Sequence, residues 1–335
     1  MVSRENIRNR IRKIVYDVLG VAGMCIRPIY RVLVKNPKCI VNIEGGLASQ
    51  LEQYTLGQVI KRMGYDVSYD LSFYKNNSGR DVTGKNPRTF DLEIMNRSIN
   101  ISKASEKELK IYKLFFRYSE NIDACKALKS DSSLRLPVYL GGYGYGILSE
   151  KTFEQVYAES VHIDYLEEDF GSKNVELLNE IKSQNDTIGM HVRRGDTLLA
   201  KVGRPIPKEE YYLKALSFFD ESTPVYIFSD DMEWVSSNLL SRIPNSLRCK
   251  LVKNNGADRA WCDLVLMAAC SFQIKSPTGG LGREAFRLNQ NANKKLIMPV
   301  LVLGNNCSME GNIIEVLLDD DLCDLSYVKD RNIRL

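Results

Sequence analysis

Histidine is almost absent from this chain: among 335 residues there are two, His162 and His191. Eight cysteines are scattered along it, at Cys25, Cys39, Cys125, Cys249, Cys262, Cys270, Cys307 and Cys323. None forms a C-x-x-C pair and no histidine stands at metal-ligand spacing from them, so a structural zinc site is not expected. In a chain of this size such spacing fits a reducing cytosol better than a disulfide framework. Internal repeats and low-complexity tracts are missing. An excess of one charge is missing too, with 46 Lys/Arg against 42 Asp/Glu, which argues against a nucleic-acid-binding protein. The sequons at Asn76 and Asn96 have no meaning without secretion.

The small positive net charge is concentrated at one end. Residues 1–38 carry nine Lys/Arg against two acids, Glu5 and Asp17, and the remainder holds 37 basic against 40 acidic residues. The leader is read as neither a signal peptide nor a membrane span. Its apolar stretch Val18–Ile26 is flanked by Asp17 and Arg27 and falls short of the ~20 residues a span needs. Ile7, Ile11, Ile14, Val15 and Val18 fall at helical spacing with arginines between them. That pattern predicts a basic amphipathic helix, with peripheral contact to an anionic membrane surface through residues 1–36.

Beyond the leader, strand-like and helix-like runs alternate. Strands are expected at 39–43, 65–71, 137–141, 187–192, 225–229, 251–252, 272–275 and 295–300. Helices are expected at 49–63, 104–130, through most of 150–183, and at 207–220 and 258–270. Residues 74–90 read as a loop. Strands separated by helices of this length predict parallel βαβ units in an α/β fold. Two such series meet near residue 185, which gives a leader at 1–38, one Rossmann-like domain at 39–184 and a second at 185–335.

In open α/β sheets ligands lie outside the carboxyl ends of the strands. Four expected strands end in polar or glycine-rich sequence: Glu44-Gly45-Gly46-Leu47-Ala48-Ser49-Gln50, His191-Val192-Arg193-Arg194-Gly195-Asp196, Ser229-Asp230-Asp231, and Ser276-Pro277-Thr278-Gly279-Gly280. Two adjacent guanidiniums suit a diphosphate, because each is a planar fork of donors that stays charged. The last segment offers hydroxyls and free backbone amides for phosphate at a helix start.

In combination and order these segments resemble the inverting α-1,2-fucosyltransferases of glycosyltransferase family 11, within the H-x-R-R-G-D fucosyltransferase group. His191–Asp196 matches that hexapeptide. Gly45–Tyr54 is similar to G-G-L-G-N-Q-L-F-Q-Y. Tyr211-Tyr212-x-x-Ala215 with Phe228–Trp234 resembles Y-Y-x-x-A followed by F-S-D-D-x-x-W, and Asp263–Cys270 resembles D-L-x-L-M-S-x-C. The resemblance runs from about residue 40 to 290. It departs at Ala48, Ser49 and Glu52, and at Ser276–Arg283, where the chain is closer to distant relatives in the group.

The resemblance implies two facing Rossmann-like domains, the GT-B architecture, and inverting transfer of L-fucose from GDP-L-fucose without a metal ion. It implies that His191 and Asp263 face the guanine and that Arg193 holds the diphosphate with help from Ser276 and Thr278. Asp196 and Asp230 would orient arginines or contact the nucleotide. Arg194, Ser229, Gly279, Gly45, Gly46 and Gln50 complete the expected donor-binding set. The catalytic residues expected are Arg193, Asp196 and Glu44, the last as the base that takes the acceptor proton. The acceptor expected is O2 of galactose in a glycan, a growing surface polysaccharide of O-antigen type on a lipid carrier. The enzyme would then work in the bacterial cytoplasm, peripheral to the inner membrane face.

Other readings compete. One is a fucosyltransferase with another linkage, such as α-1,6. A second is a nucleotide-sugar binding module without turnover. A metal-dependent transferase would need an Asp-x-Asp, which Asp319-Asp320-Asp321 matches only superficially and too near the C-terminus. A glycosidase would need a pair of carboxylates across a cleft, and none stands out. Adhesion through Arg194-Gly195-Asp196 is disfavoured because the tripeptide follows an apolar strand.

Overall fold

Parallel β-strands followed by helices organise the described residues. The computed structural model describes residues 38–77, 79–81, 84, 87–117, 137–141, 150–200, 204–302, 312–326 and 328, with Val18 and Ile29. The expected amphipathic leader, and most of the Gly/Tyr cluster that begins at Gly141, lie outside the described residues. Among the described residues no helix is long and apolar enough to cross a membrane.

The chain divides into two compact units. The first contains β1 (Lys38–Asn42), most of α1 (Leu47–Arg62), β2 (Asp66–Asp70), α2 (Glu106–Phe115), β3 (Val138–Leu140) and α3 (Glu150–Ser160). Among the described residues its three strands are parallel, in the order β2-β1-β3. A capping box starts α2: the Ser105 hydroxyl accepts from the Glu108 amide, while the Glu108 carboxylate accepts from the Ser105 amide.

The second unit holds residues 161–335 together with 46–48 and 79–98. Its elements are α4 (Ser172–Lys182), β4 (Ile188–Val192), α5 (Gly195–Ala200), β5 (Ile206–Pro207), α6 (Glu209–Leu216), β6 (Val225–Ser229), β7 (Cys249–Leu251), α7 (Ala260–Ala269), β8 (Phe272–Ile274), α8 (Leu281–Leu288), β9 (Lys295–Val300), β10 (Ile313–Leu317) and β11 (Cys323–Asp324). Six strands pair in parallel in the order β10-β9-β8-β4-β6-β7. Counted by appearance in the sheet this is the doubly wound order 3-2-1-4-5-6 read from β7, and the winding reverses between β4 and β8.

The strands are apolar because both sheet faces are covered. All five residues of β4 are buried, and Ile188, Met190, Val192, Val225, Ile227, Ile274 and Ile297 share one core with Tyr211, Tyr212, Ala215 and Leu216 of α6. Each such side chain contributes roughly 1.5–3 kcal/mol on burial. At Gly189 helix α7 presses so close that an added Cβ would stand 2.9 Å from Met267 Cγ.

Several details differ from the pattern read in the sequence; β10, for instance, is not part of it, and α8 enters it only as a helix start. Residues 161–184 cluster with the second unit. The reason is packing: the rings of Tyr165 and Phe170 lie 5.5 and 5.7 Å from that of Trp261 in α7. The Arg259 guanidinium also donates to the carbonyls of Asp169 and Phe170 at 2.7 and 2.9 Å. Pro207, expected inside a helix, sits in β5, which pairs antiparallel with β11; the helix starts after Lys208.

Candidate functional site

At the reversal point of the six-stranded sheet, two strand ends are tied to each other. β4 runs into His191-Val192-Arg193-Arg194, and β8 runs into Lys275-Ser276-Pro277-Thr278-Gly279-Gly280. The Ser276 hydroxyl accepts from the Arg193 amide at 3.3 Å, and Thr278 Oγ1 donates to the Arg193 carbonyl at 2.9 Å. The β8 turn is fixed from behind. Tyr211 donates to the Lys275 carbonyl at 2.5 Å, Tyr212 Oη lies 3.2 Å from Ser276 Oγ, and the fully buried Lys275 donates to the Ser276 carbonyl at 2.9 Å. Glycine is required where this turn folds over the β4 end. Gly279 has φ +80°, and a Cβ there would stand 3.3 Å from Arg193 Cγ and 3.5 Å from His191 Cε1.

The two arginines have different surroundings. Arg193 is partly exposed, its Nη1 3.0 Å from Asp230 Oδ2. Arg194 lies with its guanidinium carbon 3.8 Å from the centroid of the Trp234 ring. Its Nη1 donates to the Pro207 carbonyl at 2.6 Å, and its Nε is 3.7 Å from Asp231. A cation desolvated against tryptophan in this way is worth about 2 kcal/mol. So the guanidinium of Arg194 is committed to the body of the unit, while that of Arg193 stands at the strand end.

The two aspartates after β6 divide in the same way. Asp231 caps the following helical turn by accepting from the Trp234 amide at 3.1 Å. Asp230 accepts the Arg194 amide on Oδ1 at 2.9 Å and pairs with Arg193 through Oδ2. Ser229 holds the turn by accepting the Asp231 amide at 2.9 Å. The side chain of Asp196, an expected catalytic residue, lies outside the described residues.

His191 is buried, and its Nδ1 has no hydrogen-bond partner among the described residues. Burial, reinforced by the positive charge of Arg193, holds its pKa down at about 3. The ring is therefore neutral at physiological pH and a weak base. Asp263 stands in the first turn of α7, which follows β7, so it too emerges from the carboxyl side of the sheet. Burial raises its pKa to about 7, against the opposing hydrogen bond from Asn255 Nδ2 at 2.7 Å.

Glu44, Gly45 and Gln50 belong to the first unit. The Glu44 carboxylate accepts from Asn42 Nδ2 at 2.8 Å, and its amide donates to Gln53 Oε1 at 2.7 Å. Gly45 has φ +88°, and its carbonyl accepts from Tyr74 Oη at 3.0 Å. Gln50 is buried. Gly46 clusters with the second unit, where an added Cβ would stand 3.7 Å from the Arg88 guanidinium.

The family model of glycosyl transferase family 11 matches residues 92–295, more than half of the chain. The chain belongs to glycosyl transferase family 11. The matched stretch takes in the β4, β6 and β8 turns and Asp263, and starts after Glu44, Gly45, Gly46 and Gln50. No curated protein matches the chain. Among solved structures it is similar to the α-1,6-fucosyltransferase NodZ co-crystallised with GDP, at 15% identity over 76% of this chain and 93% of that one, TM-score 0.46. NodZ from Bradyrhizobium is matched in a further structure, with TM-score 0.45 at 15% identity over 76% of this chain and 94% of that one. It is also similar to POFUT1 in complex with GDP, at 11% identity over 77% of this chain and 97% of that one, TM-score 0.42. Likenesses at this level transfer no residue and no linkage to this chain.

Several residues of the site stand inside segments whose pattern was visible in the sequence without their roles being so. Tyr211, Tyr212 and Trp234 belong to the Y-Y-x-x-A and F-S-D-D-x-x-W stretches, and the structure gives them work behind the turns. Lys275, Asn255 and Asn174 carried no signal. Of the competing readings, adhesion through Arg194-Gly195-Asp196 is disfavoured because the Arg194 guanidinium packs on the Trp234 ring and donates to the Pro207 carbonyl. In the Asp319–Asp321 run, Asp319 accepts the amides of Asp321 and Leu322 at 3.0 Å each, as a turn cap does. Among the described residues no cluster of His, Cys, Asp or Glu is arranged to hold a metal ion.

Proposed function

We propose that this family 11 protein transfers L-fucose from GDP-L-fucose to a glycan hydroxyl with inversion, and that the second unit holds the donor. One observation carries the reading. A fixed guanidinium, Arg193, stands where the winding of a doubly wound sheet reverses, beside a hydroxyl- and glycine-bearing turn suited to phosphate.

In the proposed step the acceptor oxygen forms a bond to C1 of fucose. The bond between C1 and the β-phosphate oxygen breaks, and its electron pair leaves with GDP. The hydroxyl proton passes to a base, for which Glu44 is the candidate. The pKa of His191 makes that ring a poor base at neutral pH. Charge builds on the departing diphosphate, and a preorganised donor there is worth about 3 kcal/mol by analogy with oxyanion holes. Arg193 supplies that charge permanently, so turnover is expected to survive EDTA. Ser276, Thr278 and Gly279 line the same cradle, Asp230 aims Arg193, and His191 and Asp263 meet the base. Arg194 acts by holding the turn.

O2 of galactose is the proposed acceptor atom and a lipid-carried surface glycan the proposed acceptor, with residues 1–36 in peripheral contact with the cytoplasmic membrane face. The test is release of GDP from GDP-fucose with a panel of disaccharides, with product linkage read by NMR. An α-1,6 or other linkage would correct the acceptor and leave the donor reading standing. Tight GDP binding without turnover on any acceptor would make the protein a binding module.

A further inference from the structure

Asp263 is anchored through a device that the transfer step does not use. Asn255 Nδ2 donates to Asp263 Oδ1 at 2.7 Å and to Asn174 Oδ1 at 3.2 Å. Asn174 Nδ2 donates back to Asn255 Oδ1 at 2.8 Å and to the Phe170 carbonyl at 2.8 Å. The two amides form a closed reciprocal pair, and Asn174, on α4, is buried. Of the two ends of an asparagine amide only the NH₂ can donate to a carboxylate, so ionised Asp263 fixes which way Asn255 faces, and Asn255 fixes Asn174. The pair rests on the segment around Phe170, which Arg259 and Trp261 fasten to α7.

The placement of this trio gives it a direction. The candidate phosphate turns follow β4 and β8, the first and fourth strands of the winding. Ser229 and Asp230 follow the second strand, and Asn255 and Asp263 lie after the third. A nucleotide with its phosphates at the reversal point and its base toward the β7 edge brings that base to Asp263. A carboxylate with one oxygen already held meets a base edge that presents adjacent N–H donors. Guanine offers N1–H and the 2-amino group on one edge. Adenine has an acceptor at N1 and repels the carboxylate.

We infer that Asn255 and Asn174 are positioning residues that orient the Asp263 carboxylate and so set the preference for guanine over adenine. The inference rests on the donor reading above. A site whose polar groups are held in place discriminates strongly against a base that leaves them unpaired, whereas a mobile carboxylate discriminates weakly.

The experiment is calorimetric titration of the full chain with GDP and with ADP, for the wild type and for Asn255→Ala, Asn174→Ala and Asp263→Asn. The wild type is expected to prefer GDP by at least about 100-fold, the scale of a charge-assisted hydrogen bond pair. Each asparagine variant is expected to lower the GDP/ADP affinity ratio about tenfold, with ADP affinity within about twofold of wild type. A purely structural role would weaken both nucleotides together. Asp263→Asn should lower the ratio further and make Asn255→Ala silent in the double variant. If the wild type prefers GDP and both alanine variants keep that preference, the inference on the asparagines is overturned alone. If the wild type binds ADP as tightly as GDP, the donor reading falls and this inference with it. Should Asn255→Ala not fold, Asn174→Ala, one bond further from Asp263, decides.

Discussion

The carboxylate of Asp230 occupies space that a side chain on Gly195 would need: an added Cβ at Gly195 would lie 2.8 Å from Asp230 Oδ2. That oxygen is the one paired with Arg193. Gly195→Ala must therefore push Asp230 aside and weaken its pair with the Arg193 guanidinium without touching a ligand. The expected result is a GDP affinity roughly tenfold weaker, the order of one lost charge-assisted contact, with the melting temperature lowered by only a few degrees. Asp230→Asn should weaken GDP similarly, because the amide still accepts the Arg194 N–H but no longer pairs with Arg193. Unchanged GDP binding in Gly195→Ala would show that Arg193 needs no support from Asp230.

Removal of the adjacent arginines should give opposite profiles. Arg193→Ala is expected to lower kcat by about 10²- to 10³-fold, as loss of an oxyanion donor does, with thermal stability near wild type. Arg193→Lys should recover little, because a point charge does not replace the bidentate fork. Arg194→Ala removes the contact with Trp234 and the bond to the Pro207 carbonyl, so it should cost about 2–3 kcal/mol of stability. Parallel thermal melts and GDP-release assays separate the two. Near-normal activity in Arg193→Ala would sink the proposed mechanism.

Much of this was legible in the sequence, and the limits have physical causes. The β4 and β6 strands could be read because sheets covered on both faces need unbroken apolar runs, and the turns could be read because glycine and aspartate cluster there. The contrast between Arg193 and Arg194 could not be read. Adjacent side chains leave a strand end in different directions, and only the position of Trp234, forty residues on, says which one is captured. Which unit α4 joins could not be read, because its amphipathic pattern is ordinary. Its allegiance is decided by the Tyr165, Phe170 and Trp261 rings, which meet only in the fold. Asn174 and Asn255 gave no signal, since 81 residues separate the two halves of their amide pair.

Asp263 and His191 predict opposite responses to pH. The folded-state pKa of Asp263 is raised to about 7, so its contribution to stability is fully present below about pH 4, the unfolded value. That contribution is lost as pH rises through 7. His191 is depressed to about 3, so the stability it contributes is present above about 6.5 and is lost as pH falls toward 3. The neighbouring Cys262 thiol, pushed up by burial to about 11, stays neutral throughout this window. In binding, the ionised form of Asp263 accepts the guanine donors, so GDP should bind more tightly from pH 6 to pH 8, with net proton release. Calorimetry in buffers of different ionisation enthalpy measures that release. Asp263→Asn should flatten the dependence, whereas His191→Gln should weaken binding and leave the pH midpoint where it was. A midpoint that moves with His191 instead would reverse the two assignments.

Gly279 tests whether the β8 turn is a cradle or only a connection. Its φ of +80° lies in the left-handed region, where a side chain costs about 1–2 kcal/mol. The same Cβ would press on Arg193 Cγ and His191 Cε1. Gly279→Ala therefore carries a backbone cost and a local one, and they are separable by measurement. The backbone cost appears as a fall of a few degrees in melting temperature, with or without ligand. The local cost appears only in donor binding, as a displaced guanidinium, and should weaken GDP by at least about tenfold. Gly84, which also has positive φ but, among the described residues, no atom within 4 Å of an added Cβ, is the matched control. Gly84→Ala should show the thermal cost and no change in GDP affinity. If the two variants weaken GDP equally, the turn at Gly279 is not in contact with the donor.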